Sequence, residues 1–154
     1  MRPFCCWVFP FSTCAHLARP TGVCSVRPAT FLIVNIEEFR DYCLLKAGVT
    51  EELPFGPETL VFKVGGKVFA LTPIETFASV NLKCDPARAV ELREQYDYVL
   101  PGYHMNKKHW NTVLIGTGAS YSQLHQWIDH SYDLVLASLP KAQRTAILQE
   151  HAAS

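Results

Sequence analysis

Residues 60–72 read LVFKVGGKVFALT: two runs rich in β-branched and aromatic residues, joined through Gly65-Gly66. Paired glycines tolerate the positive φ that a two-residue hairpin turn demands of both central positions. The segment therefore predicts an antiparallel β-hairpin, with Lys63 and Lys67 flanking its turn.

Upstream, NIEEFRDYCLLKAG (35–48) opens with Asn35 as an N-cap and Glu38 three positions on, close to a capping box, and ends at Gly48. Ile36, Phe39, Cys43 and Ala47 recur at helical spacing, so this helix buries one stripe. Downstream, FASVNLKC (77–84) reads as a strand. Phe77, Ser79, Asn81 and Lys83 share one face of it, and Ala78, Val80, Leu82 and Cys84 the other. Asp85-Pro86 supplies an N-cap and a first-turn proline for a second helix that carries Ala89, Val90, Leu92 and Arg93 to about Gln95. A short strand over Asp97 to Leu100 and another over HWNTVLI (109–115) follow. From about Ser122 to Leu139 a helical stripe holds Leu124, Trp127, Ile128, Ser131, Val135 and Leu139. Pro140 breaks it, and KAQRTAILQEHA adds a terminal helix. The order α-β-β-β-α-β-β-α-α, with short connections, predicts an α+β fold: an antiparallel sheet with helices packed mainly on one face.

The chain has 154 residues, 49% of them hydrophobic and 18% charged, which suits one domain with a real core and excludes the disordered class. Its charge is unevenly spread. Residues 1–33 hold Arg2, Arg19 and Arg27 and no acid, leaving 11 basic against 14 acidic side chains, net −3, for residues 34–154. A mildly acidic body argues against broad adhesion to DNA. Cysteines divide likewise: Cys5, Cys6, Cys14 and Cys24 precede residue 34, and only Cys43 and Cys84 follow. Two cysteines make neither a disulfide framework nor a zinc motif, so a reducing cytoplasm is expected. In residues 1–33 an early arginine and an apolar run resemble a secretory leader, but Pro3, Pro10, Pro20 and Pro28 interrupt them. No uninterrupted apolar stretch approaches the roughly 18 residues of a membrane span. The expectation is an upstream, disordered extension, with the domain over 34–154 and Val34 as an internal start.

Candidate site residues gather in PGYHMNKKHW (101–110). Lys107 and Lys108, with Asn106, offer donors for phosphate oxygens, and Tyr103, His104, His109 and Trp110 offer rings able to stack on a base. Tyr103, His104 and Trp110 are expected to anchor the loop to the sheet while the lysines project. Lys63 and Lys67 at the hairpin tip, with Lys83 beyond, would form a second positive point. His104 and His109 are five apart, as are His125 and His130, and none has a cysteine partner or an HExxH frame, so no metal is expected. Gly116-Thr117-Gly118 lacks the third glycine of a dinucleotide fingerprint, and no phosphate loop or nucleophile elbow is present. Cys84 beside Lys83 reads as a buried strand cysteine. A non-enzymatic protein without cofactor is expected.

Four blocks in order, FGPETLVFKVGGKVFAL, NLKCDP, PGYHMNKKHWNTV and DHSYDLV, resemble the MmcQ/YjbR family of small bacterial proteins over roughly residues 35–145. The resemblance implies a CyaY-like fold and a DNA-binding role through a double-wing arrangement of the sheet hairpins. That role would fall here on loop 101–110 and hairpin tip 63–67. Frataxins, which share the fold, use an acidic helix to hold iron and dock on partners. Glu37, Glu38 and Asp41 on the first helix therefore make a frataxin-like or protein-interaction module the alternative, although acids in a first helical turn also simply complement its dipole.

Overall fold

A computed structural model describes residues 35–152. The expectations for residues 1–33 lie outside the described residues. Within them, six strands form an antiparallel sheet in the order β1-β2-β3-β4-β6-β5. The strands are β1 (Val49–Glu52), β2 (Thr59–Val64), β3 (Lys67–Pro73), β4 (Ser79–Lys83), β5 (Val99–Pro101) and β6 (Trp110–Leu114). The helices are α1 (Ile36–Leu44), α2 (Pro86–Gln95), α3 (Tyr121–Ala137) and α4 (Lys141–Ala152). None of these helices is long and apolar enough to cross a membrane.

The hairpin turns where its glycines require: φ is +56° at Gly65 and +79° at Gly66, and Val64 pairs with Lys67 across the turn. Side-chain caps start the helices. Asn35 Oδ1 accepts the Glu38 N–H at 2.7 Å, and Asp85 accepts the Ala87 N–H beside Pro86. Ser120 and Gln123 close a full capping box at α3.

Strand β1 is an addition to the expected order. Its residues VTEE show no apolar alternation and all but Val49 are exposed, so only pairing with β2 makes this edge segment a strand. A second departure lies in the hairpin itself. Phe62 pairs with Ala70 but Lys63 pairs with Val68, which leaves Phe69 as an extra residue in a β-bulge. Phe69 and Ala70 consequently both enter the core. At the bulge the Ser131 hydroxyl, reaching up from α3, donates to Phe69 O and accepts the Lys83 N–H at 2.8 Å, tying β3 to β4.

The helices pack on the face that carries Phe62, Val80, Leu82 and Val113, and there Phe39 and Cys43 of α1 meet Leu124, Ile128 and Val135 of α3. Each fully buried side chain of this kind stabilises the fold by roughly 1.5–3 kcal/mol. The opposite face carries a cross-strand row. Val61 stands opposite Leu71, Leu71 opposite Asn81, Asn81 opposite Thr112, and Thr112 opposite Leu100. Val61, Asn81 and Thr112 are buried although they point away from the helices, because the loops flanking the sheet cover them.

Candidate functional site

Strands β2 and β5 end, and β3 and β6 begin, at the same end of the sheet. The Gly65-Gly66 turn and loop 101–110 therefore emerge together, three strand positions or about 14 Å apart. They differ in what their lysines do. Lys63 is ion-paired with Glu52 of β1 at 2.5 Å. The Lys67 ammonium donates to the Ser138 carbonyl at 2.9 Å, where the end of α3 presents unpaired carbonyls and the negative pole of its dipole. The turn itself lies against the α3–α4 junction: a Cβ on Gly65 would stand 2.6 Å from Leu139, and Gln143 donates to Gly65 O at 3.3 Å. Hairpin tip 63–67 is thus bound into the molecule and does not project as a second positive point.

Loop 101–110 is strapped from two sides. Arg93 of α2 donates to Asn111 Oδ1 at 2.7 Å, to Trp110 O at 3.3 Å and to Lys107 O. On the other side the Gly102 N–H reaches Trp110 O at 2.9 Å and the Tyr103 N–H reaches Thr112 Oγ1 at 3.0 Å. Trp110 is 9% exposed and sits against Gly102, where a Cβ would come within 2.7 Å of its own. It is an anchor, as its size predicts. Tyr103 and His104 are not anchors by their side chains. The Tyr103 ring is 72% exposed and contacts the exposed His104 ring at 4.0 Å between centroids. The backbone N–H of Tyr103 does the holding, a role that residue type does not reveal. His104 adopts φ +53°, in the left-handed region that non-glycine residues seldom enter. Asn106 accepts the Lys108 N–H at 3.0 Å, closing a tight turn, and Lys107, Lys108 and His109 are exposed. Neither Lys107 nor Lys108 has a side-chain partner among the described residues.

After Pro101 the loop folds back across the face opposite the described helices. Together with Phe55, from the β1–β2 connection, it walls a cleft of about 500 Å³ lined by Thr59, Leu71, Pro73, Ser79, Asn81, Tyr103, His104 and Met105. Residues 53–58 and Asn81 carried no sequence signal for a site. They become neighbours of Tyr103 only when the sheet closes.

The other candidate groups lie elsewhere. Glu37 and Asp41 are exposed on α1, whereas Glu38 is half-buried with one carboxylate oxygen unpartnered among the described residues. The acidic helix face is therefore interrupted. Between α1 and α3, His125 stacks on Tyr42 with centroids 3.4 Å apart, Tyr42 donates to Asp129 at 2.8 Å, and Lys46 pairs with the same carboxylate. Burial and then the Asp129 bond push the Tyr42 hydroxyl up to about 12. Burial opposes ionisation of Asp129, but the bonds from Lys46 and Tyr42 outweigh it and hold this acid below the usual range. Burial lowers His125 and His130, the latter also through neighbouring Arg88. Cys43 and Cys84 are free and buried, and burial raises both thiols.

The YjbR family profile matches residues 44–134. This chain belongs to the YjbR family. The uncharacterized protein YbdF of Escherichia coli O157:H7 is 41% identical over 95 residues, which cover 61% of this chain and 78% of that protein. The uncharacterized protein YjbR of Escherichia coli K12 is 32% identical over 117 residues, 75% of this chain and 99% of that one. Among solved structures, a Deinococcus radiodurans protein superposes with a TM-score of 0.71 at 36% identity, over 75% of this chain and 88% of its own. A Pseudomonas syringae protein does so with a TM-score of 0.55 at 30% identity, over 66% and 99%. The span matched by the family holds the whole sheet, loop 101–110 and Asn81.

Proposed function

We propose that this YjbR-family chain is a binding module rather than a catalyst, and that loop 101–110 makes weak contacts with the phosphates of DNA. The observation that carries the proposal is the pair Lys107 and Lys108, exposed on a strapped loop and without side-chain partners among the described residues. Such ammonium groups meet a phosphate without first giving up an ion pair, as Lys63 would have to. Against thiol catalysis stands the burial of Cys43 and Cys84, which keeps them protonated. Free buried thiols also suit a reducing cytoplasm.

With the hairpin lysines engaged, about two phosphates are neutralised, so log affinity for duplex DNA should fall against log salt with a slope of roughly −1.8. The net −3 of residues 34–154 holds affinity in the non-specific range of about 10⁻⁴ to 10⁻⁶ M. Binding isotherms for duplex DNA at two salt concentrations, with the parent and with Lys107→Ala/Lys108→Ala, test this. The double variant should lose the slope and keep its unfolding midpoint. Undiminished binding by the variant, or none by the parent at low salt, ends the proposal.

A further inference from the structure

We propose that the cleft on the face of the sheet opposite the described helices is a nucleobase site, in which an unstacked base lies on the rings of Phe55 and Tyr103 with its edge on the Asn81 amide. The inference deepens the nucleic-acid proposal and rests on it for one of the two sources of the base. Four observations carry it. The cleft, about 500 Å³, has the size of an ordinary small-molecule pocket. Its walls present two large rings, Phe55 and Tyr103, each 72% exposed and held on a loop rather than in the core. Stacking on such rings is open to any base, because every base has a π-face.

The third observation is the floor. The Thr112 hydroxyl accepts the Tyr103 N–H and donates its own proton to Asn81 Oδ1. That relay turns the Asn81 amide so that its NH₂ group is left for the cleft. Asn81 is only 7% exposed, and its Nδ2 has no partner among the described residues. The amide N–H groups open onto the cleft, where an acceptor on a ligand would take the place of water. A planar ring with an acceptor on its edge fits rings and amide together; a purely apolar ring leaves the amide unpaired, and a sugar lacks the flat face. Fourth, the loop that carries Tyr103 carries Lys107 and Lys108 a few residues on, and its His104 is held at φ +53°, a strained conformation of the kind that gathers at binding sites. A base inside a duplex is already stacked and paired, so the site would take either a free nucleoside or a base of a single strand.

The test titrates adenosine, guanosine, cytidine and uridine separately into the whole chain. An oligothymidylate of about ten nucleotides, an ordinary single-strand site size, and its duplex with oligodeoxyadenylate follow. At least one nucleoside should bind saturably. Phe55→Ala and Tyr103→Ala, at exposed positions that do not threaten folding, should each weaken it about tenfold or more. Lys107→Ala/Lys108→Ala should leave nucleoside binding unchanged. If the single strand also binds more tightly than the duplex, and Tyr103→Ala removes that advantage, the base comes from a strand; nucleoside binding without the advantage assigns a free nucleoside. No nucleoside binding together with no single-strand advantage overturns the inference, as does binding that survives Phe55→Ala/Tyr103→Ala. Nucleoside binding without any duplex binding at low salt would end the phosphate proposal and leave the base site standing; duplex binding alone would do the reverse.

Discussion

Replacing Thr112 by valine removes one hydroxyl and almost nothing else. The residue sits in the middle of β6, buried on the face opposite the described helices, where its Oγ1 accepts the Tyr103 N–H at 3.0 Å and donates to Asn81 Oδ1. Valine keeps the shape and the β-branching, so strand preference and packing stay constant while two hydrogen bonds vanish. The net loss is about 0.5–1.5 kcal/mol for each bond, and the stranded carbonyl of buried Asn81 places the sum toward about 2–3 kcal/mol. For a domain of this size each kcal/mol lowers Tm by roughly 3–5 °C, so a fall of about 6–15 °C is expected. Thermal and urea unfolding measure it, and hydrogen exchange at the Tyr103 amide should accelerate as the loop loses its tether. Thr112→Ser supplies the control: it keeps the hydroxyl, loses one methyl group, and should cost only about 0.5–1.5 kcal/mol. A valine variant within about 0.5 kcal/mol of the parent would refute the reasoning. So would a serine variant as unstable as the valine one, which would place the effect in packing. If the relay also aims the Asn81 amide, the valine variant should bind nucleosides more weakly than its stability alone explains.

Three other outcomes follow from the geometry. Ser131→Ala leaves the Phe69 carbonyl and the Lys83 N–H facing each other across the bulge without a bridge, and should cost about 2–4 kcal/mol in urea unfolding; a loss below about 0.5 kcal/mol would mean that the strands pair without the hydroxyl. Gly65→Ala should destabilise more than Gly66→Ala. Both residues have positive φ, but only Gly65 has Leu139 within 2.6 Å of the new Cβ, while Gly66 faces open space, so equal losses would show the turn is not seated on the α3–α4 junction. Stability should fall on the acid side of 6.5, because burial lowers His125 and His130 in the folded state while the unfolded chain still takes up protons at the ordinary value. The contribution is present in full above that pH and is lost as pH falls toward the lowered folded values. Urea midpoints between about pH 7.5 and 5.5 should show it, and His125→Gln should flatten the curve; a midpoint independent of pH would contradict the burial of both rings.

What the chain's order of residues determined by itself is what short spacings determine. Gly65-Gly66 specifies its turn because positive φ is a property of two adjacent residues. The stripe Leu124, Trp127, Ile128, Ser131, Val135 and Leu139 is buried as its helical period requires, and Asn35, Asp85 and Pro86 begin their helices through contacts within a single turn. Four ordered blocks were enough to indicate the YjbR family. Strand β1 was not legible, since VTEE has no apolar alternation and becomes a strand only against β2. Nor was the bulge that turns Phe69 inward. The lysines show the limit most clearly. Lys63, Lys67, Lys107 and Lys108 are chemically alike, but Lys63 finds Glu52 across a strand pair and Lys67 finds Ser138 at the far end of α3, while the loop pair finds neither. The cleft is likewise assembled from Phe55, Asn81 and Tyr103, which three separate segments bring to one face. Backbone dihedrals and helical or strand periods act over a few residues and can be read along the chain. A charge's partner, or the occupant of a cleft, depends on which distant segments the closed sheet places side by side, and that only the tertiary structure decided.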